Sequence, residues 1–334
     1  MNALKSPYLL FLGQGDNPLA IKTSRGLAQW RPDLCVGETG APLSLGLKKM
    51  TPTEGAKAGA KTFIIGLASA GGRLDSKWTP TILAAIEAGL DIASGLHEKL
   101  SDIPEIKVAA QRKGVKLHDI RHQIDKPSVG KGTKRSGNRI LTVGTDCSVG
   151  KMYTALAIEQ EMKKRQFNVD FRATGQTGIF IAGEGVPVDA VISDFISGAV
   201  EQLCPAHSSD HWDIIEGQGS LFNPAFAGVS LGLLHGAQAD VLVMCHEANR
   251  THIKDMTGFP IPDLKDCIET NLKLARLTNP DVRLGAIALN CRVIDTDLAN
   301  QYCASLSNQL SVPCFDPMIH GTSEFVDTLE SSQT

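Results

Sequence analysis

Apolar and polar positions along the chain follow two alternating patterns. Short apolar runs such as "YLLFLG" and "TFIIGLA" predict buried strands. Between them lie longer stretches, such as "TPTILAAIEAGL", in which apolar residues recur at helical spacing. Strands that alternate with helices of about ten to fifteen residues are typical of a parallel sheet covered by helices. We therefore predict an α/β protein whose first domain, over residues 1–125, is Rossmann-like.

Residues 126–138, "KPSVGKGTKRSGN", interrupt this alternation. They are rich in Lys, Gly and Ser and nearly devoid of large apolar residues, which predicts an exposed linker. The alternation resumes at residue 139 and predicts a second parallel-sheet domain over residues 139–334. The helices predicted in this domain cover residues 150–165, 187–204, 229–236, 263–277 and 295–310.

Composition narrows the class of protein. With 42% hydrophobic residues, 21% charged residues and a formal net charge of −3, the chain is not expected to bind nucleic acid or an anionic membrane. Its apolar runs are shorter than the ~20 residues that a membrane-spanning helix needs. None of the eight cysteines forms a Cys-x-x-Cys motif, which favours free thiols in a cytoplasmic protein. The large apolar surface of two such domains also leads us to expect a homo-oligomer.

The most specific motif is "GTDCSVGK", where a predicted strand runs into a glycine loop followed by a helix. Backbone N–H groups of such a loop can surround a phosphate, and the lysine adds a positive charge. The candidate phosphate-binding residues are Gly144, Thr145, Asp146, Cys147, Ser148, Val149, Gly150, Lys151 and Met152. The Gly-Lys pair at residues 130–131 follows no apolar strand and is interpreted as part of the linker.

Met152 distinguishes this loop from that of most nucleotide hydrolases. Those enzymes place Ser or Thr after the lysine, and its hydroxyl binds Mg²⁺. A thioether is a poor ligand for a hard cation. The sequence therefore predicts phosphate binding with no obligatory metal, and coenzyme A is a ligand that fits this description.

The second half of the chain resembles dethiobiotin synthetase and its relatives. "GTDCSVGK" is similar to their phosphate loop, and the Glu-Gly-x-Gly of residues 216–219 is similar to the signature of their third strand. Asn290 in "ALNC" is similar to their position for reading adenine. The resemblance implies a P-loop NTPase-like fold for the second domain.

Longer stretches, including "GLASAGGRLDSKW", "RATGQTGIFIAGEGVPVDAVISDF" and "CHEANR", resemble one uncharacterised-domain family over essentially the whole chain. Its members join a Rossmann-like N-terminal domain to a P-loop C-terminal domain, and some are D-glutamate N-acetyltransferases. The resemblance implies acetyl transfer from acetyl-CoA to the amino group of D-glutamate or a related D-amino acid. It also implies that the loop holds the phosphates of coenzyme A.

Such a reaction needs a base for the substrate ammonium, groups that bind carboxylates, and donors for an oxyanion. Candidate bases at predicted strand or loop ends are Asp146, Asp189, Asp194, Glu216 and His246. Candidate substrate-binding residues are Arg172, Thr174, Gln176, Thr177 and Arg250, and Ser220 is a further oxyanion donor. Asp189 fits a helix cap equally well, and Glu216 and His246 also fit structural roles.

Several alternatives remain open from the residues. An ATP- and Mg²⁺-dependent ligase and a non-catalytic nucleotide-binding regulator both fit the loop. His207 and His211 have a metal-like spacing, but with no third ligand at compatible spacing we predict no metal site. In the first domain "GQGDNP" lacks the third glycine of a dinucleotide-binding loop. There, His97, Asp119 and Arg121 are candidates for lining an interdomain cleft or a subunit interface.

Overall fold

The computed structural model describes residues 4–15, 17, 20–40, 42–67, 72–122 and 127–330. Contacts divide the chain into two compact units. The first consists of Met1–Asp125 and Gln176–Ala190, and the second of Lys126–Gly175 and Val191–Thr334. The domain boundaries derived from the sequence stay a prediction. Residues 176–190 lie within the predicted second domain in sequence, but by their contacts they belong to the first unit.

The described residues form strands and helices in alternation. The strands are β1 (Tyr8–Phe11), β2 (Cys35–Thr39), β3 (Thr62–Ile65), β4 (Asp91–Ser94), β5 (Leu117–Asp119), β6 (Asn138–Gly144), β7 (Val169–Arg172), β8 (Trp212–Ile215), β9 (Val241–Glu247), β10 (His252–Ile253), β11 (Met256–Pro260), β12 (Arg283–Asn290) and β13 (Cys314–Phe315). The helices are α1 (Lys22–Trp30), α2 (Pro52–Lys57), α3 (Thr79–Glu87), α4 (Pro104–Lys113), α5 (Lys151–Lys164), α6 (Gln176–Ala182), α7 (Ile196–Leu203), α8 (Ala227–Ala237), α9 (Leu264–Ala275), α10 (Thr296–Leu310) and α11 (Ser323–Glu330).

The first unit contains a parallel sheet with the strand order β2-β1-β3-β4-β5. Every residue of β1, β3 and β4 is buried, as expected for a parallel sheet with both faces covered. Two hydrogen bonds attach α6 to α1 and the residue after it: Thr23 Oγ1 lies 3.1 Å from Thr177 Oγ1, and Arg31 Nη1 donates to the Ile181 carbonyl at 3.2 Å.

The second unit contains a parallel sheet with the order β13-β12-β9-β6-β8-β7. The chain leaves β6 for β7 on one side, returns through β8, and continues to β9 on the other side of β6. In an open α/β sheet such a change of direction leaves a crevice at the carboxyl ends of the strands, where ligands bind. A ligand-binding site is therefore expected at the carboxyl end of β6. The predicted α/β class, with two parallel sheets, is confirmed.

Four of the five helices predicted for the second domain match α5, α8, α9 and α10 to within about two residues, the usual uncertainty of helix ends. The prediction of one helix over residues 187–204 is wrong. Residues 188–190 and 193–195 form separate 3₁₀ turns, and α7 begins only at Ile196. The Val, Ile, Ser and Asp residues of this stretch have low helix propensity, and the chain passes between units at residue 190.

Residues 127–138 have mostly exposed side chains, but hydrogen bonds attach this segment to α7 and to the residue that follows it. Lys131 N donates to the Glu201 carboxylate at 2.9 Å, and Arg135 Nε donates to the Cys204 carbonyl at 2.7 Å. In the described parts of the chain, no helix has both the length and the apolar character needed to span a membrane.

Candidate phosphate-loop site

The loop between β6 and α5 has the backbone of an anion-binding site. Ser148 and Gly150 both adopt positive φ, 58° and 107°, and only Gly tolerates the second value readily. The amides of Ser148, Val149 and Gly150 have no hydrogen-bond acceptor among the residues that the structure describes. They precede the first turn of α5, whose positive dipole end also favours an anion.

Lys151 places a buried cation inside this loop. It is only 7% exposed, and its Nζ donates to the Asp146 carbonyl at 2.7 Å. Burial lowers the pKa of Lys151. Within the described ranges no carboxylate oxygen lies within salt-bridge distance of its Nζ. A buried cation without an anionic partner costs several kcal/mol, so the loop is electrostatically suited to an anionic ligand.

The Asp146 carboxylate joins three separate segments. Its Oδ1 accepts a hydrogen bond from Asn223 Nδ2 at 2.9 Å. Its Oδ2 accepts from Arg250 Nη1 at 2.8 Å and from Lys254 N at 2.7 Å. Burial acts to raise the pKa of Asp146, but the hydrogen bonds from Asn223 and Lys254 outweigh it and hold the pKa below its usual value. Because its lone pairs are engaged, this carboxylate organises the loop and is poorly suited to be a general base.

The Arg250 guanidinium donates hydrogen bonds to acceptors within the protein. Besides Asp146, it donates to the Cys147 carbonyl at 2.7 Å and, through Nε, to Glu247 Oε2 at 2.6 Å. The other oxygen of Glu247 accepts from Arg292 Nε at 3.0 Å. The Arg250 guanidinium therefore connects the loop to the end of β9, and its predicted role in binding a substrate carboxylate stays a prediction.

Glu216, at the carboxyl end of β8, is the buried acid of this site. Its Oε2 accepts hydrogen bonds from Thr174 N and Gly175 N, both at 3.0 Å, and Thr174 Oγ1 donates to its carbonyl at 2.5 Å. Burial raises the pKa of Glu216 to about 7, against the opposing effects of the two amides, the Gln218 side chain and Lys151. A carboxyl with a pKa near 7 has the proton affinity that general-base catalysis at neutral pH requires. Thr174, predicted to bind substrate, holds Glu216 in place.

Gly217 allows the segment after β8, which contains Glu216, to lie against Lys151. A Cβ added at Gly217 would lie 1.7 Å from the Thr142 carbonyl oxygen and 2.9 Å from Lys151 Cδ. No larger residue fits without displacing the strand or the lysine. The close approach explains why the charge of Lys151 acts on Glu216.

Three other predicted residues lie beside the loop. His246 Nδ1 is 3.0 Å from Thr145 Oγ1, and burial is the main reason that the pKa of His246 is lowered. Ser220 Oγ donates to the Thr145 carbonyl at 3.1 Å, which commits its hydroxyl to the loop. The Asn290 Cβ lies 3.7 Å from a Cβ built at Gly150, so the end of β12 borders the loop.

Three of the other predicted residues, Asp189, Gln176 and Thr177, belong to the first unit. Asp189 belongs to the first unit, where its carboxylate forms an ion pair with Arg121. Gln176 and Thr177 open α6 of the same unit. Asp194 is exposed in the turn before α7, and no hydrogen bond in the described structure positions its carboxylate. The predicted roles of Asp189 and Asp194 as candidate bases stay predictions.

Asp119 and His97, which were singled out in the first domain, are placed within the first unit. Asp119 is buried there, and its Oδ1 accepts a hydrogen bond from Leu100 N at 2.7 Å. Burial lowers the pKa of His97. Their proposed place at a cleft or a subunit interface stays a prediction.

Arg172 lies in a different cluster of the second unit. Its Nε donates to Asp213 Oδ1 at 2.5 Å, and its Nη2 lies 3.0 Å from His207 Nε2. His207, His211 and Asp213 place one ligand atom each within 4.8 Å of one another, so the sequence missed a third metal-type ligand. However, the guanidinium binds two of these three groups, which opposes a cation there. The contacts with Asp213 and His207 engage the Arg172 guanidinium within the protein, and its predicted role in substrate binding stays a prediction.

Lys254 is a residue that the sequence did not single out. It forms the turn between β10 and β11, and its Nζ lies 3.3 Å from Ser148 Oγ. It therefore adds a second, exposed cation at the mouth of the loop. The weak apolar pattern of this hairpin gave no signal, and the contact spans 106 residues of sequence.

A strand, a glycine loop with a buried lysine, and a helix at a topological switch point define a P-loop α/β protein, here following a Rossmann-like unit. Residues 35–123 match the Rossmann-like domain and residues 128–326 the P-loop domain of the domain-of-unknown-function family DUF1611. The chain belongs to the DUF1611 family, which confirms the resemblance found in the sequence.

Two curated relatives cover almost the whole chain. A protein of Pseudoalteromonas sp named D-glutamate N-acetyltransferase is 51% identical over 98% of this chain and 99% of its own length. A protein of Tritonibacter scottomollicae with the same name is 44% identical over the same shares. The crystal structure of a DUF1611 family protein from Anabaena variabilis ATCC 29413 matches with a TM-score of 0.88 and 29% identity, covering 98% of this chain and 100% of that one.

Proposed function

We propose that this protein is an N-acetyltransferase that acetylates the amino group of D-glutamate and uses acetyl-CoA as the donor. The names of both relatives, at 51% and 44% identity over nearly full length, support the reaction and the substrate. The observation that supports the site is that two buried groups lie at one loop: Lys151, which has no salt-bridge partner among the described residues, and the Glu216 carboxyl, whose pKa is about 7.

In this proposal the loop binds the phosphates of coenzyme A. The amides of Ser148, Val149 and Gly150 donate to one phosphate, and Lys151 neutralises its charge. Lys254, at the loop mouth, reaches a second phosphate, and Asn290 lies next to Gly150 for contact with the adenine. Met152 offers no oxygen to Mg²⁺, so binding relies on these groups without an obligatory metal.

The chemistry that we assign to Glu216 is proton removal. The substrate ammonium must lose a proton before its nitrogen can attack the thioester carbonyl, and the Glu216 carboxylate accepts that proton. The new C–N bond forms as the carbonyl oxygen becomes an oxyanion. The C–S bond then breaks, the nitrogen gives up its second proton on becoming an amide, and the thiolate of coenzyme A takes that proton and leaves as the thiol. A base with a pKa near 7 is half ionised at neutral pH, which makes it ready for this step.

The direct test measures thiol released from acetyl-CoA. We expect release that requires D-glutamate, is much slower with L-glutamate, and persists in EDTA. Mass spectrometry of the product should show an acetyl group on the amino nitrogen. If phosphate were instead released from ATP only with Mg²⁺, the protein would be a ligase of the dethiobiotin-synthetase type.

The loop is tested by Lys151→Ala, with Lys131→Ala as the control. Both residues follow a glycine, but the side chain of Lys131 is exposed. Loss of a charge-assisted bond worth about 1.5–3 kcal/mol predicts a rise of roughly 10- to 100-fold in KM for acetyl-CoA for Lys151→Ala. We expect Lys131→Ala to match the wild type. Equal kinetics for both variants would remove the loop from the mechanism.

A further inference from the structure

The phosphate loop lacks the oxygen that usually holds Mg²⁺ beside a bound nucleotide. In P-loop nucleotide hydrolases a Ser or Thr directly after the lysine supplies that oxygen. Here Met152 occupies the position, and a thioether is a poor ligand for a hard cation. Thr154, two residues further along α5, accepts a hydrogen bond from the Cys245 thiol at 3.6 Å, so its hydroxyl faces the sheet. It therefore does not replace the missing ligand.

The carboxylates around the loop are committed to N–H donors. Asp146 accepts three hydrogen bonds from such donors. Glu247, at the end of β9, binds Arg250 through one oxygen and Arg292 through the other. Glu216 Oε2 accepts hydrogen bonds from two backbone amides. Mg²⁺ needs oxygen ligands in near-octahedral geometry, so each of these carboxylates would have to give up donors in order to bind it.

The charges at the loop also oppose a divalent cation. Lys151 is only 7% exposed and forms no salt bridge among the residues that the structure describes. Lys254 adds a second ammonium group, with its Nζ 3.3 Å from Ser148 Oγ. A metal-free nucleotide brings the negative charge that these two cations lack. Chelation by Mg²⁺ cancels most of that charge and places a divalent cation next to the two lysines, which repel it.

Coenzyme A differs from nucleoside di- and triphosphates in its affinity for Mg²⁺. Its pyrophosphate is esterified at both ends and has no terminal phosphate, so it chelates the cation far less strongly. The pyrophosphate of coenzyme A therefore reaches the loop without Mg²⁺, whereas ADP and ATP arrive as chelates whenever Mg²⁺ is in excess.

We propose that nucleoside di- and triphosphates occupy this loop only as metal-free anions, that they compete there with acetyl-CoA, and that Mg²⁺ prevents the competition. Met152 determines this selectivity, because it withholds the ligand that would stabilise a bound magnesium complex. The competition rests on the proposed function, since it requires the phosphates of coenzyme A to occupy the same loop. Where Mg²⁺ exceeds the nucleotide, the loop stays available to acetyl-CoA. Where the nucleotide exceeds Mg²⁺, acetyl transfer slows.

The experiment titrates the intact protein with ADP by isothermal titration calorimetry, once in EDTA and once in excess MgCl₂ at the same ionic strength. We expect binding in EDTA and a Kd at least about tenfold higher in MgCl₂, the effect of losing one charge-assisted hydrogen bond. A Kd that Mg²⁺ leaves unchanged or lowers would overturn the proposal, and so would the absence of binding in EDTA.

The assignment to Met152 is tested by Met152→Ser, with Met318→Ser as the control. Met318 is 53% exposed and follows β13, so its variant should match the wild type. Serine at position 152 supplies an oxygen ligand, so the effect of Mg²⁺ on the Kd of ADP should shrink to about threefold or less. An undiminished effect in a Met152→Ser variant with a native circular dichroism spectrum would overturn the assignment.

Kinetic measurements separate this inference from the proposed function. In EDTA, ADP should raise the KM for acetyl-CoA without changing kcat, and excess Mg²⁺ should restore the KM. Acetyl transfer that ADP does not inhibit in EDTA would overturn the inference and leave the proposed function intact. Binding of ADP that Mg²⁺ weakens, in a protein that transfers no acetyl group to D-glutamate, would overturn the proposed function and leave the nucleotide selectivity intact.

Discussion

Glu216→Gln should lower the acetyl-transfer activity but raise the stability of the folded protein. Burial raises the pKa of this carboxyl, which suits it as a base, but the same burial makes its ionised form costly in the folded state. The pKa of Glu216 is raised from 4.5 to about 7. At about 1.4 kcal/mol per pKa unit, ionising it in place costs roughly 3 kcal/mol more than ionising it in the unfolded chain. Glutamine has the same shape and can still accept the hydrogen bonds of Thr174 N and Gly175 N, but it never ionises.

The direction in which the unfolding free energy changes with pH follows from the difference between the folded and unfolded pKa of Glu216. A group whose folded pKa is raised contributes stability that is present below its unfolded pKa and is lost as pH rises through its folded pKa. Between pH 5 and pH 8 the wild type should therefore lose roughly 2 to 3 kcal/mol of unfolding free energy through Glu216. Glu216→Gln should avoid this loss and be the more stable protein at pH 8. Its acetyl transfer should fall by about 10²- to 10⁴-fold, the usual contribution of a general base.

The assays are urea unfolding followed by circular dichroism at both pH values, and kcat/KM as a function of pH. The wild-type kcat/KM should rise through a pKa near 7. Glu269→Gln on α9 is a suitable control, since that side chain is 65% exposed and its loss should change stability by no more than about 0.5 kcal/mol. A Glu216→Gln variant no more stable than wild type at pH 8 would refute the burial argument. Retained activity would refute the role as base.

Three further changes test other parts of the site. Lys254→Ala removes an exposed cation whose interaction with a phosphate is worth about 0.2–1 kcal/mol. The KM for acetyl-CoA should therefore rise about two- to fivefold at low salt, and less at high salt. An unchanged KM would exclude a contact between Lys254 and acetyl-CoA. Asp146→Asn should lower the unfolding free energy by about 3 kcal/mol at pH 7. Since its folded pKa is depressed, this difference should shrink as pH falls below about 4 in urea titrations, and a constant difference would contradict it. Arg172→Ala should cost about 1.5–3 kcal/mol of stability by removing a charge-assisted hydrogen bond to Asp213, which keeps His211 and Arg139 as partners. The KM for D-glutamate should not change; the opposite pattern would support a role of Arg172 in substrate binding.

The parts of the site that the sequence predicted are those formed by neighbouring residues. The strand, loop and helix of residues 138–164 are contiguous, so their pattern alone placed the glycine loop and Lys151. Glu216 was found because it ends a strand, and in a parallel sheet strand ends converge on one edge. The perturbation of its pKa could not be predicted, since that depends on burial and on the approach of Lys151.

The two arginines show what the sequence could not decide. From the sequence, both guanidinium groups are candidates for binding a substrate carboxylate. In the structure each pairs with an acid that is distant in sequence, Arg172 with Asp213 and Arg250 with Asp146. A signal was present in the strand "WDIIEG", because an acid inside an apolar strand needs a cation when it is buried. The β10–β11 hairpin gave no such signal. Its second strand is mostly exposed, and its turn contacts the loop through a hydrogen bond from Lys254 N to Asp146, a residue distant in sequence.

The passage of residues 176–190 into the first unit has a practical consequence for dissecting the protein. A fragment starting near residue 126 would retain the entire phosphate loop, but it would also carry Ile179, Phe180 and Val188, which are buried in the intact chain as part of the other unit. Exposure of that apolar segment favours aggregation. The reciprocal fragment, ending near residue 125, would lack α6. The two units are therefore interlaced in sequence, and neither is a module that a single cut in the chain could isolate.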